Sequence, residues 1–221
     1  AACSGFITAL DIAASMLKAG SYKYALVIGS EKMSEIVNWK DRSVCVLFGD
    51  GAGAVVLKAV DNNTEDVTGA LVGHERGIID SNIYNDGTGA SVLTGGRRFS
   101  DSCSTDIFIH MNGQEVFKGA VKSVPTAIET LLHNNNMDIN EVDKFILHQA
   151  NVRIIESVAK RLKADKDKFP VNLNEYGNTS SASIPILLDE LNRNGSLKQG
   201  EKLVLAGFGA GLSWGSILLV W

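Results

Sequence analysis

The chain has 221 residues, enough to bury a substantial core as one large domain or two coupled halves. Apolar residues make up 45% and charged residues 21%, an ordinary globular balance, and a net charge of −4 argues against general nucleic-acid binding. Three cysteines without CxxC spacing offer neither a disulfide framework nor a zinc site. With no apolar run of membrane-spanning length and no signal-peptide pattern, a cytoplasmic protein without a membrane partner is expected.

The chain opens on Ala1-Ala2-Cys3 without an initiator Met, which reads as the middle of a longer protein. Phe6 to Ala19 carries a helical stripe of Phe6, Leu10, Ala13, Ala14 and Leu17, with Gly20 as its stop. Ala25-Leu-Val-Ile28 predicts a short buried strand. Val44–Phe48 and Ala54–Leu57 predict two strands around the turn Gly49-Asp-Gly-Ala-Gly53. Residues 61–106 are polar and Gly-rich and read as connecting loops with short strands. Ile107–His110 predicts a strand, and Gln114–His133 a helix kinked or divided by Pro125. Phe145–His148 predicts a buried strand and Val152–Leu162 a helix. Ser183–Asn192 predicts another helix that tolerates Pro185 in its first turn. Leu203–Ala206 and Ile217–Val220 predict a last strand pair separated by Gly207-Phe-Gly-Ala-Gly211. The alternation points to an α/β fold with buried parallel strands and hairpins at two places.

An internal echo runs through this order. Cys3 lies seventeen residues before Gly20 and Asn178 seventeen before Gly195, each pair spanning a helix that leads into an apolar strand. Phe48-Gly-Asp-Gly51 then matches Phe208-Gly-Ala-Gly211. A duplicated fold divides the chain into a first half in 1–60, connecting loops in 61–106 and a second half in 107–221. It also implies roughly seventy or more residues upstream to complete the first half.

Three positions carry chemistry. Cys3 opens a helix, whose free N–H groups and positive end are expected to lower the thiol pKa and favour the nucleophilic thiolate. Cys45, in an apolar strand, and Cys103, in a Ser/Asp loop, read as ordinary cysteines. His148 ends a buried strand, where ligands of open α/β sheets gather, whereas His74, His110 and His133 lack that placement. Asn178 sits in the turn Gly177-Asn-Thr-Ser-Ser-Ala-Ser183. A thiol, an imidazole and an amide together suit acyl-thioester chemistry, in which backbone N–H groups at Cys3 and in Phe208–Gly211 hold an oxyanion. Gly49–Gly53 is followed by a strand and by no P-loop Lys, so a dinucleotide site is excluded there.

Six motifs in order resemble the bacterial β-ketoacyl-acyl carrier protein synthase III family. They are Ala1–Phe6, Phe48–Ala54, Asn112–Lys118, His148–Arg153, Gly177–Ser183 and Phe208–Gly215. The resemblance spans the whole chain and implies a thiolase-like fold, two βαβαβαββ halves in a five-layer αβαβα sandwich, with the first half incomplete here. It implies a homodimer, no cofactor beyond the CoA thioester substrate, and no metal. It also implies that Cys3 is acylated by an acyl-CoA, typically acetyl-CoA. Malonyl-acyl carrier protein then condenses with loss of CO₂. His148 and Asn178 would hold the enolate, and the N–H groups of Cys3 and Ala210 the tetrahedral oxyanion. Many relatives have Gly where Ala210 stands. Arg42, Gly113 and Asn151 fall at CoA-contacting positions, and Lys118, Arg153, Lys160 and Arg161 at a patch that docks the carrier protein. A starter-unit condensing enzyme of polyketide or quinolone synthesis, or an inactive fragment with a binding role, are the alternatives.

Overall fold

The computed structural model describes residues 1–60, 76–95 and 108–221. In chain order the elements are helix α1 (Gly5–Lys18), strands β1 (Tyr24–Glu31), β2 (Gly51–Lys58), β3 (Gly77–Asn85), β4 (Leu93–Thr94) and β5 (His110–Met111), and helix α2 (Gly113–Asn134). Strand β6 (Lys144–Leu147), helices α3 (Val152–Leu162), α4 (Leu173–Tyr176) and α5 (Ser183–Arg193), and strands β7 (Lys202–Gly209) and β8 (Ser213–Val220) complete it. Short 3₁₀ turns, Ala2–Ser4 and Ser180–Ala182, lead directly into α1 and α5.

Strand alternation builds the layers. Phe145 and Leu147 of β6, Val204, Ala206 and Phe208 of β7 and Leu218 of β8 join the apolar faces of α2 and α3 in one core. The intervening Ile146, Leu203, Leu205, Ile217 and Leu219 join Phe6, Ile7 and Leu10 of α1 and Ile184, Leu187 and Leu188 of α5 in a second. The sheet β3-β8-β7-β6 is thus covered on both faces, which is why its inner strands are continuously apolar. The antiparallel pair β1–β2 closes the far side of α1 and α5, giving four layers, α-β-α-β. Among the described residues no helix is long and apolar enough to cross a membrane.

The predicted echo has a structural counterpart. Gly20 (φ 76°) and Gly195 (φ 74°) end the two central helices in the left-handed conformation that favours glycine. Each half's glycine-rich strand then lies against the other half's helix start. A Cβ on Gly53 of β2 would sit 2.9 Å from the Ile186 nitrogen of α5, and one on Gly209 of β7 would sit 2.8 Å from the Cys3 nitrogen.

Several expectations need correction. Residues 44–47 form turns, not a strand, because the Asp41 carbonyl accepts the N–H groups of Val44 and Cys45 and the backbone bonds are spent locally. The Gly51–Gly53 stretch is strand, not turn, and only Phe48 bridges outward, to Asn178. The Ala25–Ile28 run lies in β1 but is buried on one face only, with Leu26 and Ile28 more than half exposed. Inside the stretch read as loops with short strands, β3 is a longer strand of nine residues paired to β8. Its polar Asn82 is satisfied in the core, donating to the Ala127 carbonyl (2.9 Å) and accepting from Ser216 N (3.1 Å) and Oγ (2.7 Å). The strand expected at 107–110 is the two-residue β5, with Ile107 outside the described residues. Pro125 does not divide α2, which packs along the sheet through Val116, Ala120, Val124, Ile128 and Leu131. Among described strands only β6–β7 is parallel, and of the neighbouring pairs only β7–β8 is a tight hairpin.

Gly209→Ala is expected to lower stability by about 1–3 kcal/mol, since its methyl would meet backbone that cannot yield cheaply. Gly20→Ala meets nothing within 4 Å and is expected to cost about 1–2 kcal/mol, through its left-handed φ alone. Thermal unfolding checks the pair, and only Gly209→Ala should also impair reaction at Cys3. Equal behaviour of the two variants in both readouts would contradict the close approach.

Candidate active site

Cys3 lies in the 3₁₀ turn before α1, buried, with the end of β7 against its backbone. Its thiol is hydrogen-bonded to Ser180, and the Glu31 carboxylate at the end of β1 acts on it electrostatically. Burial pushes the thiol up from 9.0 to about 11, and the Glu31 charge adds to the rise. The expected lowering by the helix start is therefore overturned. The α-helix begins only at Gly5, and removing the sulfur from water outweighs the stabilising contacts.

Asn178 is gripped by the first half of the fold. Its N–H donates to the Leu47 carbonyl (2.8 Å), and its carbonyl accepts from Gly49 N (3.0 Å). Its side-chain Oδ1 accepts from Ser180 N (2.8 Å), which leaves the Nδ2 donors without a protein acceptor among the described residues. His148 follows β6, and its N–H donates to the Ala206 carbonyl (2.8 Å). Its Nδ1 lies 2.7 Å from Ser183 Oγ, and its Nε2 has no protein partner among the described residues. Burial brings the imidazole down from 6.5 to about 4, so it is neutral near pH 7.

One six-residue stretch, Asn178–Ser183, therefore meets all three groups. It contains the amide, touches the thiol through Ser180 and holds the imidazole through Ser183. Ser180 adopts φ 52°, an uncommon conformation for a residue with a side chain. The stretch is pinned in turn by Ser181, whose Oγ (2.5 Å) and N–H (3.2 Å) both donate to Glu31 Oε1. In the sequence this serine-rich turn gives no signal that assigns roles to Ser180, Ser181 or Ser183. Nothing in the sequence pointed to Glu31.

The other sequence-predicted positions are less closely gathered. Ala210 sits in the β7–β8 hairpin, one residue beyond Gly209, which is the residue that closely approaches the Cys3 backbone. Gly113 lines an open cleft of about 710 Å³ with Asp41, Ser91, His110 and Asn112, and Arg42 is the exposed neighbour of Asp41. Asn151 is not among the residues lining that cleft; its Oδ1 caps α3 by accepting from Arg153 N (2.9 Å). Lys118, Arg153, Lys160 and Arg161 are all exposed on the packed pair α2 and α3, and Lys118 is paired with Glu115 (2.9 Å). Cys45 is half-buried in the 44–47 turns, while Cys103 and His74 fall outside the described residues.

Two family models match the chain. That of 3-oxoacyl-[acyl-carrier-protein] synthase III covers residues 1–87, and that of its C-terminal part covers 132–221. The β-ketoacyl-[acyl-carrier-protein] synthase III of Clostridium acetobutylicum is 45% identical over the whole chain. The chain belongs to the 3-oxoacyl-[acyl-carrier-protein] synthase III family. The Ehrlichia ruminantium enzyme of the same name is 46% identical over 99% of the chain. The crystal structure of the Aquifex aeolicus synthase III superposes on all of it with a TM-score of 0.88 at 44% identity. The chain spans 66%, 65% and 65% of the lengths of these three relatives. The fold is accordingly thiolase-like, and the described residues form four of its layers.

With a thiol raised to about 11, the thiolate fraction of Cys3 should grow about tenfold per pH unit through the neutral and mildly alkaline range. Alkylation of Cys3 by iodoacetamide, followed by peptide mass spectrometry, is expected to accelerate steadily to pH 10 without levelling. A plateau below pH 8 would show that the helix start wins after all.

Proposed function

We propose that the protein is a condensing acyltransferase that initiates fatty-acid synthesis. An acyl-CoA such as acetyl-CoA and malonyl-acyl carrier protein are its proposed substrates. No cofactor is needed beyond the thioester, and a second copy of the chain is the proposed partner. The observation that carries this reading is the Asn178–Ser183 stretch. It brings a buried thiol together with two neutral groups, His148 Nε2 and Asn178 Nδ2, left without protein partners among the described residues. Membership of the synthase III family supports the same chemistry.

In the first step the Cys3 sulfur forms a bond to the acyl carbon. The bond from that carbon to the CoA sulfur breaks, and the thiol proton passes to the departing CoA thiolate. No net charge is created, which suits a site where a free thiolate is disfavoured. The N–H groups of Cys3 and Ala210 are the proposed donors to the transient oxyanion, since β7 brings its end to the Cys3 backbone. In the second step the malonyl carbon–carboxylate bond breaks. CO₂ leaves, and its electron pair becomes the enolate, whose oxygen is held by His148 Nε2–H and Asn178 Nδ2–H. The enolate carbon then bonds to the acyl carbon on Cys3. The carbon–sulfur bond breaks, and the Cys3 thiolate takes up a proton. The proposed subsites are Arg42, Gly113 and Asn151 for CoA, and the exposed bases Lys118, Arg153, Lys160 and Arg161 for the acidic carrier protein.

Incubation with acetyl-CoA and peptide mass spectrometry is expected to place acetyl on Cys3 and to spare Cys45 and Cys103. His148→Ala and Asn178→Ala are expected to slow decarboxylation of malonyl-carrier protein by roughly 10²–10³-fold while largely sparing acetylation of Cys3, because enolate stabilisation is needed only in the second step. Label on another cysteine would reject the nucleophile. Equal loss in both half-reactions would reject the division of labour.

A further inference from the structure

We propose that Ser183 is a positioning residue that sets the tautomer of His148, donating its hydroxyl proton to Nδ1 so that the imidazole carries its own proton on Nε2. The assignment follows from an inventory of donors around one hydroxyl. Ser183 Oγ accepts the Gln149 backbone N–H (3.2 Å), which uses one of its lone pairs. Its remaining contact among the described residues is His148 Nδ1 at 2.7 Å. Ser183 is 2% exposed, so its proton cannot be handed to bulk water. If Nδ1 carried the proton, the Ser183 hydroxyl would accept twice and its own proton would be buried with no acceptor, which folded proteins avoid. If Ser183 donates, its hydroxyl and His148 Nδ1 are both satisfied, and only Nε2–H is left to face the site.

Among the described residues no other side chain competes to orient the ring. Gln149 is itself used up, its Nε2 donating to the Leu147 carbonyl (2.8 Å) and its Oε1 accepting from Asn172 N (3.2 Å). No carboxylate pairs with His148 among the described residues, and burial alone accounts for its neutrality. The tautomer is therefore set by a serine at the start of α5 and not by an acidic partner. The consequence deepens the proposed function and rests on that reading: His148 is built to donate a hydrogen bond from Nε2, not to take a proton there. The proton released by Cys3 must then leave by the CoA sulfur.

The test is direct and does not depend on turnover. In the intact protein labelled with ¹⁵N-histidine, long-range ¹H–¹⁵N correlation at pH 7 is expected to show His148 with a protonated Nε2 and a bare Nδ1. His148→Gln supplies the resonance assignment. Ser183→Ala is expected to mix or reverse the tautomers and to slow malonyl decarboxylation by roughly ten- to a hundredfold, by analogy with loss of the outer partner of a metal-bound imidazole. Acetylation of Cys3 should persist in that variant. Ser183→Thr keeps the hydroxyl and should keep the tautomer. A protonated Nδ1 in the unaltered protein would overturn the proposal even if the Ser183 variants fail to fold. An unchanged Nε2–H tautomer in Ser183→Ala, or a Thr variant that behaves like Ala, would equally overturn it. Because the tautomer is read without substrate, failure of the condensing reaction would leave this result standing on its own.

Discussion

The site depends on one steric constraint: the ends of glycine-rich strands and the starts of central helices come so close that no side chain fits between them. At Gly209 a methyl group would sit 2.8 Å from both the Ala1 carbonyl oxygen and the Cys3 nitrogen. At Gly29 of β1 it would sit 2.7 Å from the Ser181 carbonyl oxygen. Through these approaches the second half positions the first half's cysteine, and the first half positions the second half's serine turn. The backbone clamp of Leu47 and Gly49 on Asn178 completes the reciprocity. Neither half holds a complete site alone.

Within that frame the thiol and imidazole of the candidate site are held neutral. Burial opposes charge on both Cys3 and His148, raising one group and lowering the other. Such a pocket gains little from a resting thiolate–imidazolium pair. It suits the proposed reaction, in which charge would appear only transiently, on substrate oxygens met by fixed donors. Preorganised donors in a water-poor pocket can contribute several kcal/mol at that moment, because nothing has to reorient. The Ser180–Ser183 turn supplies this preorganisation. The uncommon φ of Ser180 is held by the contacts that orient Asn178 and touch Cys3.

Much of this was legible in the sequence where periodicity and element ends carry the signal. Helix α3 was read at its observed bounds because Ile154, Ile155, Val158, Ala159 and Leu162 form an unbroken helical stripe. Cys3, His148 and Asn178 were legible because each stands where an element starts or stops. Residues 44–47 misled because a β-branched run signals a strand, whereas the Asp41 carbonyl and side chain close local turns first. Strand β3 was hidden by Asp80, Ser81 and Asn82, polar residues that fit a sheet only because Asn82 finds partners on α2 and β8. The thiol pKa was misjudged because a helix start is visible in one dimension and burial is not. Glu31 was invisible for a similar reason: its bond to Ser181 joins residues 150 positions apart.

The central claim is that the backbone at Cys3 and Ala210 serves the acyl group while His148 and Asn178 serve the second substrate. A crystal structure of the protein after reaction with acetyl-CoA tests it most directly. The account predicts an acetyl thioester on Cys3 with its oxygen within hydrogen-bond distance of the Cys3 and Ala210 nitrogens, and with His148 Nε2 and Asn178 Nδ2 still uncommitted. An acetyl oxygen held by His148 or Asn178, or a thioester on a different residue, would contradict it.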